Sequence, residues 1–365
     1  LEAAWKYIIV CTAGVAFGLF GTLLVYANAA DVMADAHQAV FWTSILPMAP
    51  ALDHSLTMIA FVFAAIGFGT KAGLFPMHTW LPDAHSEAPS PVSALLSGVL
   101  LKCALLIVLR FYILAAANVG AGFPQLVMVI LGVLSVGYAA FEVYRQRDIK
   151  RKLAYSSCEN VGLIAVCFGI GGPLGIIAGL VHCIAHGLTK ALMFCVAGNV
   201  MMKYHTRDLE KIKGILAVAP VTGVLFVAGC LALAGFPPFA MFVSEMAMIL
   251  AGIAADALWL VALVLVALVV VIMALVTMIT GSALGRAPEG MARKDVPALA
   301  LVPECVLLAL VVLLGVALPG PLFSSIERAG AIVMSYEDEY PASENLFEGA
   351  LAALAGDEVE EEVSE

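Results

Sequence analysis

Long apolar runs separated by short polar stretches organise almost the whole chain, from Trp5 to the neighbourhood of Gly320. About 20 apolar residues in helical form cross the hydrocarbon core of a bilayer. On that measure, spans are predicted at 5–27, 55–75, 92–115, 123–144, 153–171, 174–200, 216–253, 257–282 and 298–320. None of these runs alternates polar and apolar positions as barrel strands do, so helices are expected. The seventh run is too long for one simple crossing, and Gly235, Pro237 and Pro238 interrupt it in CLALAGFPPFAMFVSEMAMIL. Proline lacks a donor and clashes with the preceding turn, so the helix must break there. Broken backbone at membrane depth has to face protein or water. The run is read as one broken span, which gives nine spans. Gly73, Pro76, Pro82, Pro89 and Pro91 punctuate the segment after Lys71 in a similar way, and two such interruptions suggest an internal repeat.

Composition makes the class explicit. With 62% hydrophobic and 13% charged residues over 365 positions, the chain is too apolar for a soluble domain of its size. The fold class expected is an all-α, polytopic membrane protein. Lysine and arginine concentrate in cytoplasmic loops. With the start of the first span placed in the cytoplasm, that side receives Lys6, Arg145, Arg147, Lys150, Arg151, Lys152, Lys203, Arg207, Lys211, Lys213, Arg286, Arg293 and Lys294, 13 of the 18 basic residues. The loops assigned outside, 28–53, 116–122, 171–173 and 254–256, contain none. Counting 216–253 as two crossings would spoil this alternation. The net charge of -10 comes from residues 335–365, which hold eleven acidic residues and no basic one. That tail is read as solvated, or as docking on a basic partner surface, and the topology puts it outside.

The charges inside the spans carry the candidate chemistry. A lysine at the bilayer centre costs roughly 2.5–3.5 kcal/mol on insertion scales, so it lines a wet pathway, pairs with an acid or carries protons. Lys71 in FGTKAGLF and Lys102 in GVLLKCALLIVLRF are such residues. HCIAHGLTK sets His182, His186 and Lys190 at i, i+4 and i+8, on one helix face with about 6 Å of rise per step. One histidine on an apolar helix is ordinarily a core residue. Two histidines and a lysine on one stripe need three separate partners, and histidine changes charge near neutral pH, so the stripe reads as a proton relay. Glu245 adds an acid to the broken span. Glu142, Glu159 and Arg110 fall near predicted span ends, where snorkelling accounts for them. Asp83, His85 and Glu87 read as loop residues that close the turn or line a proton path, and Glu304 receives no role. The eight cysteines lack ligand spacing and read as small core residues. No iron-sulfur, haem, zinc, flavin or nucleotide motif is present, so any redox chemistry belongs to other polypeptides.

The segments KAGLFPMHTWLPDAHSEAPSPVSALLSGVLLKCALL, RDIKRKLAYSSCENVGLI, HCIAHGLTKALMFCVAG and LAGFPPFAMFVSEM resemble the antiporter-like membrane subunits shared by respiratory complex I, membrane-bound NiFe hydrogenases and Mrp-type cation/proton antiporters. LEAAWKYIIV and PMHTWLPDAHSEAPSPVSALLSG are most similar to the F-type subunit of hydrogenase-4 and formate hydrogenlyase complexes. The resemblance covers residues 1 to about 320. It implies a fold of about fourteen helices with two related five-helix bundles, each containing a discontinuous helix. Residues 1–115 would be the remainder of the first bundle, 123–282 the second, 298–320 a final helix and 321–365 an acidic tail. The chain would begin at the sixth helix, which agrees with an apolar run starting almost at Leu1 and with the absence of an initiator Met. The acid that pairs with the first lysine would then precede Leu1. The resemblance further implies that Lys71 is the key lysine of the first broken helix and Lys102 that of the next helix. His182, His186 and Lys190 would form the central relay, and Glu245 the charged position of the second break, at Gly235, Pro237 and Pro238 as Pro76 marks the first. The implied function is a proton-translocating subunit of a multisubunit respiratory oxidoreductase in a prokaryotic plasma membrane. It would bind no cofactor, metal or nucleic acid itself, with NiFe and iron-sulfur centres on partner subunits. A Mrp-type antiporter subunit without redox partners is the alternative, and a scaffold with vestigial charges a third reading.

Overall fold

Each apolar run becomes a helix in the computed structural model, which describes residues 1–334; the acidic tail lies outside the described residues. The helices are α1 Glu2–Val32, α2 His54–Ala72, α3 Trp80–Glu87, α4 Ser90–Val119, α5 Gly122–Arg145, α6 Ile149–Ile170, α7 Gly172–Tyr204, α8 Pro220–Leu233, α9 Ala240–Ala254, α10 Leu258–Ala283, α11 Ala298–Val316 and α12 Gly320–Met334. Among the described residues, eight are long and apolar enough to cross a membrane: α1, α2, α4, α5, α6, α7, α10 and α11. At 14 and 15 residues, α8 and α9 are each shorter than the crossing helices, and the break at Gly235, Pro237 and Pro238 separates them. Eight of the nine predicted spans therefore appear among the described residues as helices long and apolar enough to cross, the seventh predicted span is divided into α8 and α9, and the chain is a multi-pass membrane protein.

Three boundaries correct the sequence reading. The Asp148 carboxylate accepts from the backbone N–H groups of Lys150 and Arg151 at 2.8 and 3.0 Å, which caps α6 and starts it four residues before the apolar run does. Lys150 and Lys152 therefore belong to the first turns of α6 and are buried rather than free in a loop. Lys150 donates to the Ala88 carbonyl, and Lys152 lies 3.5 Å from the Ala274 carbonyl. Second, Asp83, His85 and Glu87 lie on a helix, α3, and not in a loop. Third, α11 stops at Val316, and the chain turns into α12. Ile326, Gly330, Val333 and Met334, one helical stripe of α12, bury against α7.

The core forms around α6, which is buried along nearly its whole length between α3, α5 and α7. The most polar of the long helices is thus also the most enclosed, and its polar side chains are matched inside the protein instead of by lipid. Glycines bring backbones together where this matters. A Cβ at Gly187 of α7 would stand 2.9 Å from the Gly98 carbonyl oxygen of α4, so the two helices touch backbone to backbone, the small-residue contact of membrane helices. Charge holds α3 in place at the basic-loop end. Asp83, 7% exposed, accepts from Lys6 of α1 at 2.7 Å and pairs with Arg151 of α6. Arg207 joins Glu87 at 3.0 Å to Asp148 at 3.1 Å.

The helical path is interrupted between α2 and α3 and between α8 and α9. Both breaks share a pattern: a glycine of positive φ (Gly73, 86°; Gly235, 64°) and, three residues later, a cis proline, Pro76 and Pro238.

A candidate proton line through the buried helices

Each break presents a charge in its own way. Lys71 lies in the last turn of α2, where the partial negative charge of the exposed carbonyls favours a cation. Leu74 N–H donates to the Gly69 carbonyl at 2.9 Å, and Trp80 Nε1 donates to the Thr70 carbonyl at 2.7 Å, so the cut helix end is satisfied. Lys71 Nζ sits 5.1 Å from the centroid of the Tyr7 ring, a cation–π contact. At the second break Gly235 makes room for Glu245: a Cβ at this glycine would come within 2.0 Å of Glu245 Oε2. Pro237 and Pro238 turn the chain outward between the two half-helices.

Between the breaks runs a connected set of polar groups. Lys102 Nζ donates to the Ser97 carbonyl at 2.5 Å. Ser97 Oγ and Ser157 Oγ share a hydrogen bond of 2.8 Å. Ser157 Oγ donates to the Leu153 carbonyl at 3.1 Å, and Lys190 Nζ donates to the same carbonyl at 2.8 Å and to Ser156 Oγ. Asn160 Nδ2 then donates to the Ser156 carbonyl at 2.7 Å and to Glu159 Oε2 at 2.5 Å. Because the Ser156 carbonyl can only accept, the amide nitrogen must face it, so Oδ1 is the atom 3.0 Å from His182 Nε2. Nε2 therefore carries the hydrogen. His182 Nδ1 lies 2.8 Å from Ser244 Oγ of α9, the residue before Glu245. The line thus reaches from α4 through α6 and α7 to the second broken helix.

Of the residues singled out by sequence, Lys102, Lys190 and His182 lie on this line. Glu245 stands beside its end, half-buried, and Lys71 lies apart from it. His186 is fully buried with its ring 6.3 Å from that of His182, nearly parallel, and neither of its nitrogens has a hydrogen-bond partner. The sequence reading passed over Ser97, Ser156, Ser157, Asn160 and Ser244, and it put Glu159 at a span end. With α6 starting at Ile149, Glu159 is three turns inside it, 1% exposed and hydrogen-bonded to Asn160, which also bonds Ser156, the residue whose hydroxyl accepts from Lys190. The signal was SSCEN, four polar residues in five inside an apolar span. Glu142 holds Arg145 and Gln146 at the end of α5, and Arg110 packs over Trp42. Glu304 is buried in α11, where it accepts from Asn199 Nδ2 at 2.7 Å. Among the described residues, no group of three or more His, Cys, Asp or Glu is arranged to hold a metal ion.

Residues 1–271 match the family described as NADH:quinone oxidoreductase/Mrp antiporter, transmembrane. The chain belongs to this family. A hydrogenase-4 component F homolog from Methylacidiphilum infernorum is 45% identical over 258 residues, which cover 71% of this chain and 54% of the relative. The NADH:quinone oxidoreductase/Mrp fold is also seen in an archaeal membrane-bound sulfane sulfur reductase, with a TM-score of 0.82 at 28% identity over 92% of this chain and 67% of that one. Respiratory complex I of Thermus thermophilus gives a TM-score of 0.79 at 25% identity, over 92% of this chain and 68% of that one. The chain spans about half the length of the hydrogenase-4 relative.

Proposed function

We propose that this chain is a proton-translocating membrane subunit of a multisubunit respiratory oxidoreductase of the hydrogenase-4/formate hydrogenlyase or complex I type. The observation that supports this most directly is the polar line from Lys102 to Ser244, held inside helices that otherwise bury apolar surface. Withdrawing a counter-charge from a buried lysine destabilises its ammonium form through lost Coulomb attraction in a low-dielectric setting, and the proton moves to the next base. Lys71 senses the charge at the first break. Lys102, His186 and Lys190 hold the proton centrally, with Glu159 as the counter-charge of Lys190. His182 passes it toward Ser244 and Glu245 at the second break, where Gly235, Pro237 and Pro238 open the helix as Pro76 does at the first.

In this reading residues 1–115 and 123–282 are two antiporter-like bundles of opposite orientation. The basic loops face the cytoplasm of a prokaryotic cell, and the acidic tail faces outward. Electron transfer takes place on partner subunits carrying NiFe and iron-sulfur centres, and this chain binds neither. The test is proton movement per electron in inverted membrane vesicles containing the complex. Lys190→Ala and Glu159→Gln should each lower it at least fivefold while the complex still assembles. Unchanged proton movement with both variants would sink the assignment.

A further inference from the structure

At the basic-loop end, a cavity of about 400 Å³ lies between the end of α3, the start of α4 and the end of α7, and Glu87, Ser90, Lys150, His205 and Arg207 contribute to its wall. Its wall includes Ser86, and the preceding residue on α3, His85, is fully buried. Neither ring nitrogen of His85 has a hydrogen-bond partner. A buried imidazole ordinarily has one, and an exception asks for a reason. Packing alone holds this ring: it stacks on Phe194 with centroids 4.8 Å apart and planes 17° apart. Phe194 lies one helical turn beyond Lys190 on α7. Neither nitrogen of His85 is committed to a hydrogen bond, whereas both nitrogens of His182 are.

We propose that His85 is the proton-carrying group between this cavity and Lys190, so that the cavity feeds the centre of the polar line directly, without passing through the Lys71 break. The inference rests on the proposed function above. One nitrogen of the neutral imidazole takes a proton from the cavity side and forms an N–H bond. The N–H bond on the other nitrogen breaks, and its proton adds to the neutral amine of Lys190. No electrons are transferred and the charge moves with the proton.

The test uses inverted vesicles of the assembled complex and reads protons moved per electron. His85→Gln, which keeps size and polarity but carries no proton at neutral pH, should lower the ratio at least threefold. His85→Gly should do the same and recover on addition of free imidazole, a response that lost packing would not give. Ser90→Trp, which places a bulky side chain on the cavity wall, should also lower the ratio, and it decides the matter if the His85 variants fail to assemble. A wild-type ratio in His85→Gln or in Ser90→Trp, with Lys190→Ala still defective, would overturn the route and leave the proposed function standing. A wild-type ratio in Lys190→Ala would overturn both.

Discussion

Asn160 carries an unusual share of the connectivity for one side chain. Its amide donates to the Ser156 carbonyl and to Glu159, while its oxygen accepts from His182. Leucine at this position would match its volume and remove all three contacts, leaving the buried Glu159 and His182 without them, at a cost of about 1–3 kcal/mol for each unsatisfied group. Asn160→Leu is expected to stop proton movement while the lysines remain in place. Proton uptake by vesicles checks the first outcome, and the melting temperature of the purified complex registers the second. Gly235 is a residue of another kind. Its φ of 64° and the Glu245 carboxylate against it leave no room for a side chain. Gly235→Ala should displace Glu245 and lower stability by about 1–3 kcal/mol, measurable as a shift in thermal unfolding in detergent.

At the scale of elements, the contact between α4 and α7 sets the spacing between Lys102 and the histidine stripe. Lys102 Cε lies 3.9 Å from where a Cβ on Gly187 would be. Gly187→Ala drives a methyl group into the α4 backbone, whereas Gly137→Ala on α5 meets nothing within 4 Å. The first should destabilise by about 1–3 kcal/mol and the second should stay neutral or gain about 1 kcal/mol of helix propensity. Equal melting temperatures would refute the crossing as a constraint. The helices themselves were legible in the sequence, because apolar run length is a direct physical requirement of the bilayer. So was the second break, since two adjacent prolines cannot continue a helix. Helix starts fixed by a cap were less visible: Asp148 begins α6 before hydrophobicity rises, and moving that boundary changes Glu159 from an interfacial residue to a buried one. The serines of the line were invisible for a different reason. A serine in a helix can satisfy its own preceding carbonyl, as Ser325 does with Pro321 at 2.8 Å, so residue type alone does not say which serines face a partner helix.

The molecule as a whole is fastened at the basic-loop end by charge and elsewhere by packing. Asp83 binds Lys6 and Arg151 and so joins α1, α3 and α6. Asp83→Asn should weaken both pairs, and hydrogen bonds to charged groups are worth about 1.5–3 kcal/mol. The loss should shrink at high salt, because Lys6 and Arg151 are each 42% exposed on their side chains and open to screening. Thermal unfolding of the complex at low and high ionic strength measures it. An equal loss at both would mean that Asp83 acts through packing.

One hydroxyl gives this arrangement a mechanical side. Ser244 Oγ lies 2.9 Å from the Met241 carbonyl, in the first turn of α9, and 2.8 Å from His182 Nδ1. The hydroxyl has a single hydrogen, and His182 Nε2 already carries one. When His182 is neutral, its Nδ1 is a bare acceptor, so Ser244 must turn its hydrogen to the ring and release the Met241 carbonyl. When His182 holds a second proton, the hydroxyl becomes the acceptor and its hydrogen is free to return to the helix. The opening turn of the second half-helix therefore tightens and loosens with the charge on a ring belonging to another helix.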